Sequence, residues 1–174
     1  KLKLSEPVKR DGMRMPIDYL LQSIATECKE RGIGIILSGT GSDGSLGLRD
    51  IKGAGGLVMA EEPASAEYDG MPSAAVDTGL VDFVCPVEEL PQILVEYVRQ
   101  PYVTDSGENI QNVVDSDLVQ AILQRVRRQI GYDFSGYKKG TLTRRIHRRL
   151  GINRLKGLGD YLEFLDRDSG EVDM

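Results

Sequence analysis

The sequence predicts an α/β protein, the C-terminal part of a doubly wound parallel sheet of about three strands, followed by a small all-α domain. Three observations predict it. Short β-branched apolar runs alternate with helical periodicity over residues 1–100. A glycine-rich turn follows the first of those runs, and a second glycine segment, Gly53-Ala54-Gly55-Gly56, precedes the next. After Cys85 no strand pattern returns, and the apolar spacing becomes purely helical.

Taken in order, the first helix is expected from Pro16 to Arg31, where Ile17, Leu20, Leu21, Ile24 and Cys28 recur at helical spacing and Gly32 follows the end. Ile33–Leu37, bounded by glycines, reads as a fully buried parallel strand. A glycine-rich turn leads into a short helix near Ser45–Lys52. Leu57–Ala60 reads as a second buried strand, Met71 to Gly79 as a helix and Val81–Cys85 as a third strand. Glu88 to Arg99 closes this part with a helix whose apolar face is Leu90, Ile93, Leu94, Tyr97 and Val98. A typical sheet has about five or six strands, so residues 1–100 read as the second half of a larger domain. Residues 101–114 are polar and read as a linker. Residues 115–174 read as a helical domain. Leu118, Ile122, Val126 and Ile130 precede Gly131; Leu142, Ile146 and Leu150 precede Gly151; Tyr161, Leu162, Phe164 and Leu165 form a third short helix. The acidic tail from Asp166 is expected to fray.

Composition bounds the function. Hydrophobic residues are 40% and charged residues 28% of 174, an ordinary globular mixture. No stretch approaches the roughly 20 apolar residues that cross a bilayer, and no signal segment opens the chain. Two distant cysteines, Cys28 and Cys85, exclude a disulfide scaffold or a cysteine zinc site, and no metal-ligating set is visible. A cytoplasmic protein is expected. The chain starts with Lys rather than Met, so it reads as trimmed or as a piece of something longer. Net charge is −5, but residues 125–156 hold 11 basic residues against one acid, Asp133. Such clustering implies either a solvated face or a partner of opposite sign.

The loop Gly39-Thr40-Gly41-Ser42-Asp43-Gly44 matches the dinucleotide pattern G-x-G-x-x-G, and Glu61 and Glu62 follow about 20 residues on, where a ribose hydroxyl would be bound. Against that reading, Asp43 would face an anionic pyrophosphate. An Asp there is better explained as a helix cap or an active-site carboxylate. A tight strand–helix turn needing small residues is the bland alternative.

Wider segments carry a resemblance. Met15-Pro16-Ile17-Asp18-Tyr19-Leu20, Ile35 through Gly44, Ala54-Gly55-Gly56, Ala60-Glu61-Glu62-Pro63, Tyr68-Asp69-Gly70-Met71-Pro72 and Gly79-Leu80-Val81-Asp82 closely resemble the chemotaxis receptor methylesterases (CheB family). The resemblance implies a bacterial or archaeal enzyme of two-component signal transduction that hydrolyses glutamyl methyl esters on chemoreceptors with a Ser-His-Asp triad. It places the triad carboxylate on Asp43 and an oxyanion-hole N–H on Thr40, where the common loop has Met; a backbone donor does not depend on the side chain. Gly39, Gly41 and Gly44 let the loop approach substrate closely. The family's Ser and His come from the half of the domain preceding this segment. The only histidine here, His147, is flanked by arginines and reads as part of a charged face; Ser38, Ser42 and Ser65 have no His partner. Ester hydrolysis by this chain alone is therefore not expected.

Asp117 to Gly131, Tyr132 to Lys138, Thr141 to Arg149 and Asp160-Tyr161-Leu162 resemble the N-terminal helical domain of the chemotaxis receptor methyltransferases (CheR family). The order is similar to fused proteins carrying both modules. At 100° per residue Leu142, Ile146 and Leu150 share one face, and Arg144, Arg145, Arg148 and Arg149 cover the opposite side. The resemblance implies that these arginines dock acidic, glutamate-bearing receptor helices. Nucleic acid is disfavoured because no aromatic interleaves the arginines. The family's S-adenosylmethionine site lies mainly in a later domain, so methyl transfer by this chain alone is likewise not expected. Two other readings remain open here: a non-catalytic module whose arginine helix binds acidic helices or nucleic acid, and a dinucleotide-binding half-domain. Strand edges left unpaired in a half-sheet also predict self-association, or a need for the missing half.

Overall fold

The structure, a computed structural model, describes residues 9–10, 13–99, 116–134, 136–137, 139–168 and 171. Two two-residue strands, β1 (Lys9–Arg10) and β2 (Met13–Arg14), pair antiparallel ahead of the first helix. Nothing in the local pattern announces them. Helix α1 (Pro16–Cys28) starts where Pro16 supplies a preset φ and lacks the N–H that would be orphaned there. It stops three residues earlier than its apolar spacing implies, because Lys29 takes a left-handed φ of 51° and Lys29–Arg31 tighten into a 3-10 turn.

The elements that follow are β3 (Ile33–Ile36), α2 (Ser45–Gly53), β4 (Leu57–Glu61), α3 (Gly70–Asp77), β5 (Phe83–Cys85) and α4 (Leu90–Val98). The three strands form one parallel sheet in the order β3-β4-β5, with Ile33 opposite Leu57 and Met59 opposite Phe83. Parallel strands need crossovers, and the helices α2 and α3 supply them.

Only the central strand is buried throughout; Leu57, Val58, Met59 and Ala60 have no exposed surface. The expectation of three fully buried strands is corrected for the outer two. β3 alternates half-buried Ile33 and Ile35 with buried Gly34 and Ile36, and β5 leaves Val84 exposed. The reason is position: in a sheet of three, only the middle strand has a neighbour on each side. The core joins Leu21 and Ala25 of α1, Leu48 and Ile51 of α2, Ile36, Val58 and Ala60 of the sheet, and Ala75 of α3. Burying a side chain the size of Leu or Ile stabilises by about 1.5–3 kcal/mol. At the end of the sheet where the strands begin, the Asp82 carboxylate accepts the Val58 N–H at 3.0 Å and pairs with Lys52 at 2.5 Å, joining the end of α2 to the sheet.

The chain divides into two units, residues 1–95 and 96–174. The reading of residues 101–114 as a linker lies outside the described residues. In the second unit, α5 (Ser116–Ile130), α6 (Lys139–Ile152) and α7 (Leu158–Arg167) enclose Val119, Ile122, Ile146, Leu150, Tyr161 and Leu165. Gly131 ends α5 with φ 72°. Gly151 does not end α6, which runs on to Ile152 with Gly151 buried; packing overrides the weak helix propensity of glycine. The expected fraying of the tail is corrected at Glu171. This residue is 7% exposed, and its carboxylate accepts from Arg149, Asn153 and Tyr161.

Candidate functional site

The glycine loop leaves the C-terminal end of β3, the side of an open parallel sheet where ligands bind. Gly41 and Gly44 hold φ of 89° and 103°, conformations that other residues adopt only with strain. Gly39 lies against Met71, whose Sδ would sit 2.5 Å from an added Cβ. The loop is bound to the segment after β4 through Gly39 N–H to Tyr68 O (2.9 Å), Met71 N–H to Gly39 O (2.8 Å) and Tyr68 N–H to Ser38 Oγ (2.9 Å). Thr40 is exposed, and among the described residues no hydrogen bond engages its N–H.

Asp43, half-buried, does not cap the helix it precedes. Its Oδ2 accepts the Ile17 N–H at 3.1 Å and its Oδ1 accepts the Asp18 N–H at 3.0 Å, capping α1 from 25 residues away. Helix α1 has no side-chain cap of its own at Met15, and the orphan amides of its first turn find this carboxylate instead. Asp18 returns the arrangement: its Oδ1 accepts the Gly44 N–H at 2.9 Å and the Gly47 N–H at 2.8 Å, at the start of α2. The helix-cap reading of Asp43 is thus true for a helix other than the adjacent one. Each Asp43 oxygen accepts one N–H and retains capacity for a second donor.

Sequence reasoning did not single out Asp18. Its only local signal was an acidic residue in the first turn after proline; its partners lie 26 and 29 residues on and meet it only in the fold. Glu61, assigned to a ribose hydroxyl in the dinucleotide reading, is 5% exposed and accepts the Ser38 N–H at 2.8 Å. Its carboxylate braces the loop, which leaves the exposed Glu62 as the acidic candidate of that reading.

In the second unit the four arginines of α6 separate. Arg144 and Arg145 are exposed, whereas Arg148 and Arg149 are half-buried. Arg149 turns inward and pairs with the Glu171 carboxylate, with Nε at 2.6 Å from Oε1. That bidentate pair belongs to the packing of the unit and not to an outer face. Glu171 was the other residue the sequence did not flag. The hydrogen bond to Glu171 sits in a desolvated site, and burial first, then that carboxylate, raises the Tyr161 phenol far above the usual tyrosine range. Burial holds the His147 imidazole below the usual histidine range.

Between α5 and the following turn is a recess of about 200 Å³, lined in part by Gln120, Leu123, Arg127, Asp133, Phe134 and Tyr137. It is smaller than the ~300–1,000 Å³ of drug-sized ligand sites. Among the described residues no three His, Cys, Asp or Glu side chains cluster as a metal site, and no helix is long and apolar enough to cross a membrane.

A parallel sheet with crossover helices and a glycine loop at the strands' C-terminal ends defines an α/β domain, and in open sheets of this kind ligands bind at that end. Comparison with known proteins makes this particular: the chain belongs to the CheB methylesterase family, whose description matches residues 1–94. Residues 117–174 match the CheR methyltransferase all-alpha domain. A protein-glutamate methylesterase/protein-glutamine glutaminase of Pyrococcus abyssi is 34% identical over 56% of this chain and 27% of its own length. The corresponding protein of Moorella thermoacetica is 44% identical over 47% of this chain and 19% of its own. An uncharacterized 104.1 kDa protein of Rhodobacter capsulatus is 32% identical over 95% of this chain and 20% of its own length, so its similarity runs through both units. The crystal structure of the Thermotoga maritima CheB methylesterase catalytic domain shares 33% identity and a TM-score of 0.48, covering 53% of this chain and 48% of that one. The chain therefore spans only 19–27% of the length of these curated relatives.

Proposed function

We propose that this chain is part of a chemotaxis adaptation protein that removes methyl groups from chemoreceptor glutamates and, through its methyltransferase part, adds them with S-adenosylmethionine. The observation that carries the esterase reading is the Asp43 carboxylate, fixed by two helix amides in a glycine loop beside the unengaged Thr40 N–H. In this reading Asp43 accepts the N–H of a histidine supplied elsewhere in the protein, which sets the tautomer of the imidazole and stabilises its protonated form. The Thr40 N–H faces the oxyanion that develops as a serine attacks the ester carbonyl; loss of one such donor costs about 2.7–4 kcal/mol in comparable hydrolases. Arg144 and Arg145, exposed on α6, face the acidic receptor helices. S-adenosylmethionine is held by parts of the methyltransferase beyond the all-alpha domain. The site of action is cytoplasmic.

The test is methanol release from methylated receptor membranes by the full-length protein. Asp43→Asn should lower kcat by up to about 10⁴, because the wrong imidazole tautomer is then favoured, far more than the loss of one of its two amide acceptors lowers stability. A variant as fast as wild type would remove Asp43 from the triad.

A further inference from the structure

We infer that Asp18 is the positioning residue for Asp43: it holds the glycine loop in place and thereby aims the Asp43 carboxylate. Its kinetic consequence rests on the esterase reading above; its structural consequence does not.

The geometry is a closed exchange. Asp18 is only 8% exposed, and Oδ1 accepts the N–H groups of Gly44 and Gly47, while Oδ2 is buried with no hydrogen-bond partner among the described residues. Gly44 is the peptide next to Asp43. Asp43 in turn accepts the N–H groups of Ile17 and Asp18. Each carboxylate holds the backbone that carries the other, so neither moves without releasing its partner's bonds.

A local cap would not achieve this. The N-cap position of α2 is Gly44, with φ 103°, where an added Cβ would lie 2.7 Å from Ile36 Cδ1 and 2.9 Å from Ile17 Cγ2. The Ser, Thr or Asn side chains that ordinarily cap a helix are therefore excluded at that position. The amides of α2 must take their acceptor from another element, and Asp18 supplies it from α1. The close approach of the two helices permits the reach: a Cβ at Gly47 would meet the Asp18 carbonyl at 2.9 Å. The start of α2, and with it the loop, is thus fixed relative to α1 and not merely to its own turn. A displacement of about 1 Å at a reacting group costs up to about 10²-fold in rate, so the hold on Asp43 is a kinetic matter.

The experiment uses the full-length protein with Asp18→Ala, Asp18→Asn, Asp43→Asn and the double variant D18A/D43N. It reads methanol release from methylated receptor membranes and amide hydrogen exchange. D18A should lower kcat about 10²-fold with KM nearly unchanged. D18N, which keeps an acceptor oxygen for the Gly44 and Gly47 amides, should restore kcat to within about threefold of wild type. Because Asp18 acts through Asp43, D18A should cost nothing further in the D43N background. A loss from D18A that persists in full in that background, or D18N as slow as D18A, overturns the inference. If wild type releases no methanol, the esterase reading fails by itself and exchange decides. D18A should then release the Ile17 amide, which Asp43 and not Asp18 holds, and continued protection of Ile17 overturns the inference. Should D18A not fold, Asp18→Ser, whose shorter side chain reaches less far, carries the same expectations.

Discussion

Glycine 47 shows how a single position constrains the site. An added Cβ there would lie 2.6 Å from Leu21 Cβ and 2.9 Å from the Asp18 carbonyl, and both are held by the core and the capping exchange. Gly47→Ala should therefore destabilise by about 1–3 kcal/mol, the usual range for overpacking, and should expose the Gly44 amide to exchange. Gly53→Ala, at the end of the same helix with nothing within 4 Å of its Cβ, should be neutral or stabilise by up to about 1 kcal/mol. Urea titrations of both variants check the pair; equal midpoints would contradict the close-packing argument. At His147 the effect depends on pH. Burial lowers its folded pKa below an unfolded value near 6.5, so as pH falls through that value the unfolded state takes up the proton first. Stability is full above about pH 7 and declines below it, until the folded imidazole also protonates. Unfolding midpoints between pH 7.5 and 5.5 should show this decline, and His147→Gln should flatten it; a slope unchanged by the substitution would assign it to other groups.

At the scale of the element, α6 carries two kinds of arginine on one helix. Periodicity assigned Arg144, Arg145, Arg148 and Arg149 to a single outward face, and it could not do otherwise, because the residue that draws Arg149 inward lies 22 positions on. Arg149 pairs with a Glu171 whose side chain is only 3% exposed. Arg149→Ala leaves that carboxylate buried without its cation and should cost about 3–5 kcal/mol, read as a lowered unfolding midpoint. Charge reversal of Arg144 and Arg145 should leave the midpoint within about 0.5 kcal/mol. The same reversal should weaken docking to acidic receptor helices, in the proposed function, and flatten its dependence on salt. Docking that survives the reversal would place the receptor-facing surface elsewhere. α1 and α2 make the complementary point: neither has a side-chain cap of its own, and each is completed by a carboxylate from the other's neighbourhood. Capping, ordinarily the most local of helix signals, is here a tertiary interaction.

For the whole molecule, the edges of the sheet matter most; among the described residues no further strand pairs with β3 or β5. β3 and β5 are its outer strands, and Leu37 and Val84 beside them are each 44% exposed. Unpaired strand edges flanked by apolar side chains template association. The 174-residue chain should therefore show a mass that rises with concentration in sedimentation at micromolar protein. A monodisperse monomer with one cooperative melting transition would refute this, and would mean that other parts of the chain cover the edges.

The sequence by itself determined the alternation of parallel strands and crossover helices, the change to an all-helical pattern after Cys85, and the glycine loop with its Asp43. All are written in apolar period and in turn residues that act over a few positions. It also carried the motifs by which the family is recognised. The extents of the outer strands, the β1–β2 pair and the end of α6 came from the fold, because pairing and burial there override local propensity. The same holds for the site. That Asp43 sits in a glycine loop is legible, but that it caps α1, that Asp18 holds Gly44 in return, that Glu61 braces Ser38 and that Arg149 turns to Glu171 are contacts across 22 to 26 residues of chain. A carboxylate finds its donors by proximity in space, and no period in the sequence encodes that distance.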